Sequence, residues 1–199
     1  MQQRNVLAAA LATAMVAGSV AFAQAAHQAG SPQDGGGPTG GKETARAHAT
    51  IAGNRISGTA EFVEMEYDTG KEVEITVTAK GLKPGLHGVH IHAVGKCEAP
   101  AFTAAGGHFD PGPAGNTDPD ANHPYHLGDV PNLRVGADGS GTLRARTTRV
   151  TLSEGLLSVF DADGSAVIIH ANPDQGVTGE PKSGVSGGPR AACGVIEKK

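Results

Sequence analysis

Glu72-Val73-Glu74-Ile75-Thr76-Val77-Thr78 alternates without a break, so Val73, Ile75 and Val77 face one way and Glu72, Glu74 and Thr76 the other. A segment with this period is a half-buried antiparallel strand, one face on a core and the other in water. The same alternation runs through Ala45 to Ala52. Further strand candidates lie at Gly58 to Met65, Leu86 to Ala93, Leu133 to Val135, Gly141 to Thr147, Leu157 to Phe160, Ala166 to Ile169 and Ala192 to Ile196. Turn signals separate several of them: Gly53-Asn54, Thr69-Gly70, Asp138-Gly139 and Asp163-Gly164. Many short strands with such punctuation, and no internal repeat, describe an all-β domain. The expected fold is a Greek-key β-sandwich or flattened barrel of about eight antiparallel strands. The chain has 30 glycines and no tryptophan, which suits tight turns and ordered loops better than a helical bundle. Two long stretches interrupt the rhythm, Gly95 to Pro131 and Ala171 to Arg190, and loops of that length are usually functional or disordered.

The N-terminal part has a different character. Met1-Gln2-Gln3-Arg4 leads into an uncharged run, Val6 to Phe22, that ends in small residues, so 1–23 reads as a secretory signal peptide. The run is dominated by Ala and Gly and is marginal in length for spanning, so no stable membrane insertion is expected after cleavage. Residues 24–42 are poor in apolar groups and rich in Gly, and read as a flexible tether. From residue 43 to 199 about one domain remains, in a protein expected to be periplasmic or secreted. The formal net charge of the whole chain is −4, which excludes a nucleic-acid footprint. Attraction of a small anion would have to come from local cations.

Export also bears on Cys97 and Cys193, the two cysteines of the chain, because disulfides persist outside the cytoplasm. An even pair most simply forms one bond, which would tie the first long loop to the C-terminal strand. Ligation of a metal by cysteine is the competing reading, and the histidine inventory makes it unnecessary.

That inventory is the strongest chemical signal. In Gly85-Leu86-His87-Gly88-Val89-His90-Ile91-His92, strand alternation puts His90 and His92 on one face and Val89 and Ile91 on the other. Two convergent imidazoles are half of a transition-metal site, suited to zinc or copper rather than magnesium or calcium. His108, His123, His126, Asp129 and His170 follow at wide spacings, as expected of ligands that separate strands and loops bring together. His87 differs in strand parity and reads as a buried histidine bonded to backbone.

Taken in order, Gly85 to His92, Gly107-His108-Phe109-Asp110-Pro111, His126-Leu127-Gly128-Asp129, His170 and Gly188-Pro189-Arg190-Ala191-Ala192-Cys193-Gly194-Val195-Ile196 resemble the exported bacterial Cu/Zn superoxide dismutases. The resemblance implies that His90, His92, His108 and His170 bind copper and that His108 also bridges to zinc. His126 and Asp129 would join it there, Arg190 would guide superoxide to the copper, and Asp174 would link a copper histidine to a zinc histidine. The implied reaction is disproportionation of superoxide, with Arg190 and His108 catalytic; an exported copper-buffering protein without turnover is the alternative. A homodimer is one candidate assembly. The sequence departs from the family pattern at one place. Where a further zinc histidine is usual, eight or nine residues beyond the bridging one, stand Asn116 and Thr117. His123, in His123-Pro124-Tyr125-His126, is expected to supply the missing ligand by a rerouted loop, with Asp118 or Asp120 as substitutes, or else a weakened zinc site with His123 exposed. Lys182 is expected to add attraction for the anion.

Overall fold

The computed structural model describes residues 40–112 and 118–199. The expected signal peptide, all but the last three residues of the expected tether, and Asn116-Thr117 lie outside them.

The alternating segments form strands. β1 (Lys42–Gly53), β2 (Ile56–Tyr67) and β3 (Gly70–Lys80) make a meander through two tight turns. β4 (Gly85–His92), β5 (Asp129–Val135), β6 (Ser140–Thr147), β7 (Ala166–His170), β8 (Arg190–Val195) and the two-residue β9 (Glu197–Lys198) complete the set. The hydrogen-bonded order is β2-β3-β6-β5-β4-β7-β8-β1-β9, and β1 also pairs β2, so eight antiparallel strands close into a barrel and β9 is an addition. The pairing is uneven. β3 pairs β2 over its full length, whereas β5 and β6 share a single pair, Val135 with Gly141, and β1 meets β8 only at Ala52 and Gly53. These two thin seams divide the barrel into two four-stranded halves, which is what flattens it.

The inward residues fill the space between the halves: Ile51, Phe62, Val73, Ile75, Val77, Val89, Ile91, Leu133, Val167 and Ile169 are all buried in one cluster. Each such large side chain stabilises the fold by about 1.5–3 kcal/mol. Phe62→Ala would cost about 3–5 kcal/mol, because the rigid barrel cannot collapse onto the vacated volume. A second, smaller cluster of Phe102, Ala105, Ala166, Ile168 and Cys193 lies under the first long loop. There the Cys97–Cys193 disulfide fastens the loop to β8 across a separation of 96 residues. A closed loop of that size stabilises by about 4–5 kcal/mol on the chain-entropy account.

Two local outcomes differ from the sequence expectation. Leu157 to Phe160 is not a strand; it contributes one isolated bridge, Thr151 with Ser158, inside a turn that still buries Val159. Glu64, on β2, points inward after Ala60 and Phe62 and is fully buried. Burial alone would raise its pKa. The backbone N–H groups of Ser153 and Leu152 and the hydroxyls of Thr44 and Ser153 reverse that and hold it at about 2.

Candidate metal centre

β4 sets the centre's frame. Val89 and Ile91 enter the core while His90 and His92, both without solvent exposure, point the other way. His90 lies opposite Asp129 on β5, and His92 opposite His108 in an isolated bridge. The bridge is held by Ala93 N–H to Gly107 O (3.0 Å) and Phe109 N–H to Ile91 O (2.8 Å), so the 107–109 segment runs antiparallel to the end of β4. Gly128 lets the loop return this closely, since a Cβ there would stand 2.2 Å from the Ile91 carbonyl oxygen. His170 ends β7, the other neighbour of β4.

Four imidazoles thus meet from three parts of the chain. The ligand atoms of His90, His92, His108 and His170 lie within 4.8 Å of one another, and the same holds for His90, His108, His123 and Asp129. In the first group every ring has one nitrogen engaged. His92 Nδ1 donates to Gly106 O (3.0 Å) and His170 Nδ1 to Gly188 O (2.9 Å). His90 Nε2 meets Asp174 Oδ2 (2.9 Å) and His108 Nδ1 meets Asp129 Oδ1 (2.6 Å). The remaining nitrogens, His90 Nδ1, His92 Nε2, His108 Nε2 and His170 Nε2, are buried with no hydrogen-bond partner. Leaving a buried polar atom unsatisfied costs about 1–3 kcal/mol, so four on converging rings mark a place built for a cation.

The second group collects carboxylates. His123 Nδ1 stands 3.3 Å and His126 Nδ1 3.4 Å from Asp129 Oδ2, and neither nitrogen has a hydrogen-bond partner. His123 Nε2 reaches Asp174 Oδ1 at 2.6 Å, so Asp174 spans His90 and His123 with its two oxygens. Asn132 pins Asp174 in place, donating to its carbonyl and accepting from its N–H, both at 2.9 Å. His123 therefore lies in the cluster. Of the two substitutes, Asp120 is committed elsewhere, to Gly184 and Ser186. Asp118 accepts from the N–H groups of Asp120 and Lys182.

The electrostatics of the two groups differ. Burial, then the charges of His108, His170 and Arg190, push His92 well below its usual pKa; burial and His90 do the same to His170. Burial lowers His108 to about 4 against the opposing pull of Asp129. At His123 burial is outweighed by Asp129 and Asp174, which raise it to about 9. Asp129 and Asp174 resist the effect of burial and are held far below the usual carboxylate range, chiefly by the histidines they bind.

Arg190 completes the arrangement. Its guanidinium donates to Phe102 O (2.6 Å) and Gly106 O (2.5 Å), and Gly106 O also accepts from His92. It lines an open cavity of about 740 Å³ with Lys182, Asn172 and Gly188. His87 stands apart as expected, its ring spanning the carbonyl oxygens of His170 (2.8 Å) and Lys83 (2.9 Å). The sequence reading missed one contact. Arg149, just before the β6-distal turn, donates to the carbonyl of His126 and has no motif that would have revealed it.

A closed antiparallel barrel carrying a buried cluster of histidines and carboxylates for two neighbouring cations defines a class of metal-binding β-proteins. Within that class, the family model for copper/zinc superoxide dismutase (SODC) matches residues 56–196, and the chain belongs to that family. It is similar to the Cu-Zn superoxide dismutase of Caulobacter vibrioides, 40% identical over 130 residues, 63% of this chain and 71% of the relative. The Cu-Zn superoxide dismutase of Deinococcus radiodurans is 38% identical over 167 residues, 79% of this chain and 86% of the relative. Among solved structures, a double mutant of a superoxide dismutase-like protein from Bacillus subtilis aligns with a TM-score of 0.60 at 35% identity, covering 74% of this chain and 95% of that one.

Proposed function

We propose that this protein disproportionates superoxide to dioxygen and hydrogen peroxide, in the periplasm or outside the cell. The observation that carries the reading is the set of four partnerless ring nitrogens beside Arg190. His90, His92, His108 and His170 would hold copper, and His108, His123, His126 and Asp129 would hold zinc, so that His108 would serve both. Copper in an all-imidazole site supplies one-electron exchange in both directions, and zinc a fixed positive charge.

The chain's own residues do the rest. Arg190, immobilised on two carbonyls, attracts and orients the anion at the mouth, and Lys182 adds to the local field that a net-negative protein needs. Across a full cycle one superoxide is oxidised to dioxygen while a second is reduced and gains two protons, one from His108 and one from water, to leave as hydrogen peroxide. His108 holds a proton at Nε2 between the two halves and hands it to the departing peroxide, while its Nδ1 side stays anchored beside Asp129. Asp174 keeps His90 and His123 in fixed orientation from behind. The leader segment and the Cys97–Cys193 bond both suit an oxidising compartment.

The test is superoxide consumption by metal-loaded protein, with copper measured alongside, in wild type and His90→Ala. Turnover in wild type and its loss in the variant is the expected result. Stoichiometric copper with no turnover in wild type would overturn the reading in favour of copper buffering.

A further inference from the structure

Asp120 sits in the loop that carries His123 and His126, yet its carboxylate turns away from the metal cluster. Oδ1 accepts from the Ser186 N–H (3.0 Å) and hydroxyl (2.7 Å), and Oδ2 from the Gly184 N–H (2.7 Å). The side of the same residue's backbone is also engaged, its carbonyl accepting from Gly179 N–H at 3.0 Å. Asp120 is only 3% exposed, so the carboxylate is spent wholly on the second long loop. Burial would raise its pKa, but the donors on Gly184 and Ser186 bring it below the ordinary value, as they would for a permanently charged latch.

The latched segment leads straight to the copper side. Ser186 is followed by Gly187 and Gly188, both at positive φ (105° and 61°). Gly187 packs so tightly on His170 that a Cβ would lie 2.7 Å from the His170 Cβ, and the Gly188 carbonyl receives His170 Nδ1–H. Two consecutive glycines have little conformational preference of their own, so something outside them must fix that carbonyl. On one side Asn172 N–H bonds to Gly187 O (3.2 Å) and Ala171 N–H to Pro189 O (2.7 Å); on the other, Gln175 N–H bonds to Val185 O (2.8 Å) and the Asp120 latch holds Gly184 and Ser186.

We propose that Asp120 is a positioning residue for His170: by pinning Gly184 and Ser186 it fixes the Gly188 carbonyl, and through it the direction in which His170 presents Nε2. The inference rests on the reading of His170 as a copper ligand. It also means that the zinc-side loop orients a copper-side ring by a route separate from the Asp174 link.

The experiment uses the mature chain and reads His170 directly. In metal-free protein, NMR follows solvent exchange of the His170 Nδ1–H, with the His92 Nδ1–H, held by Gly106 on another part of the cluster, as internal reference. Asp120→Ala is expected to speed exchange at His170 at least tenfold with His92 unchanged, and to alter the Cu(II) electron paramagnetic resonance signal of the loaded protein. Asp120→Asn, which keeps one acceptor oxygen, is expected to fall between. Unchanged exchange at His170 in folded Asp120→Ala overturns the proposal. Should that variant fail to fold, Ser186→Ala decides: it removes the hydroxyl donor alone, and faster exchange at His170 supports the latch while an unchanged rate rejects it. Absence of turnover in wild type would remove the functional reading and leave the His170 exchange result standing on its own.

Discussion

The histidines proposed for copper and those proposed for zinc share an imidazole but are built on different principles. His90, His92 and His170 come from paired strands, and His92 and His170 have their second nitrogens on backbone carbonyls. His123 and His126 come from a loop, and the groups facing them are the carboxylates of Asp129 and Asp174. On the strand side burial favours neutral rings; on the loop side two carboxylates raise His123 to about 9. The lesson is that one half is preformed by the barrel, whereas the other is a cluster of negative charge that needs a cation to balance it.

The sharpest way to break that contrast is to remove a loop ligand. His123→Ala is expected to weaken zinc binding by more than about 100-fold while copper stoichiometry stays near that of wild type, read by metal analysis after dialysis against a chelator series. Unchanged zinc would remove His123 from the shell; equal loss of both metals would show that the strand side is not preformed. Asp174→Asn touches both halves from behind, and a loss of about 10–100-fold in zinc affinity is expected, measured by competition titration. Arg190→Ala leaves both sets of ligands intact. Its expected effect is about a tenfold fall in kcat/KM together with a flatter dependence on ionic strength, followed by stopped-flow assay from low to high salt.

The smallest effect belongs to a carboxylate that needs no cation. Glu64 is fully buried and is satisfied mainly by neutral donors, with Lys71 at 3.2 Å. Glu64→Gln is expected to cost about 1–3 kcal/mol near neutral pH, measured by urea unfolding. Because the folded pKa is depressed from 4.5 to about 2, the unfolded chain takes up the proton first as pH falls. The contribution is therefore present above about pH 4.5 and fades as pH drops towards 2, so the gap between wild type and variant should close across that window. A constant gap would mean that packing, not charge, is what the glutamine disturbs.

Much of this was legible in the chain itself, and the exceptions have physical reasons. Strand period placed Val73, Ile75 and Val77 inside, and the same period put His90 and His92 on one buried face. Leu157 to Phe160 misled because Val159 is buried from a turn, and four apolar residues cannot show whether burial comes from a strand or a bend. Glu64 was visible in principle, since it shares parity with Ala60 and Phe62, but a glutamate in an alternating strand is ordinarily on the wet face. His123 could be proposed from its spacing to His126. The resemblance also implied an Asp174 link between a copper histidine and a zinc histidine, but the contact of Asp120 with Ser186, across 66 residues, was not visible. Contacts between two loops leave no periodic trace.

The closed strand order has a consequence beyond the site. Each of the eight barrel strands has a neighbour on both sides, and the ninth, Glu197–Lys198, is two exposed charged residues continuing alongside β1. Closure leaves no barrel strand with a wholly bare side of N–H and C=O groups; the partly open edges are those of the two thin seams, where β6 meets β5 at one pair and β1 meets β8 at two. An added polypeptide therefore finds little edge to extend, and the fold itself resists fibre growth.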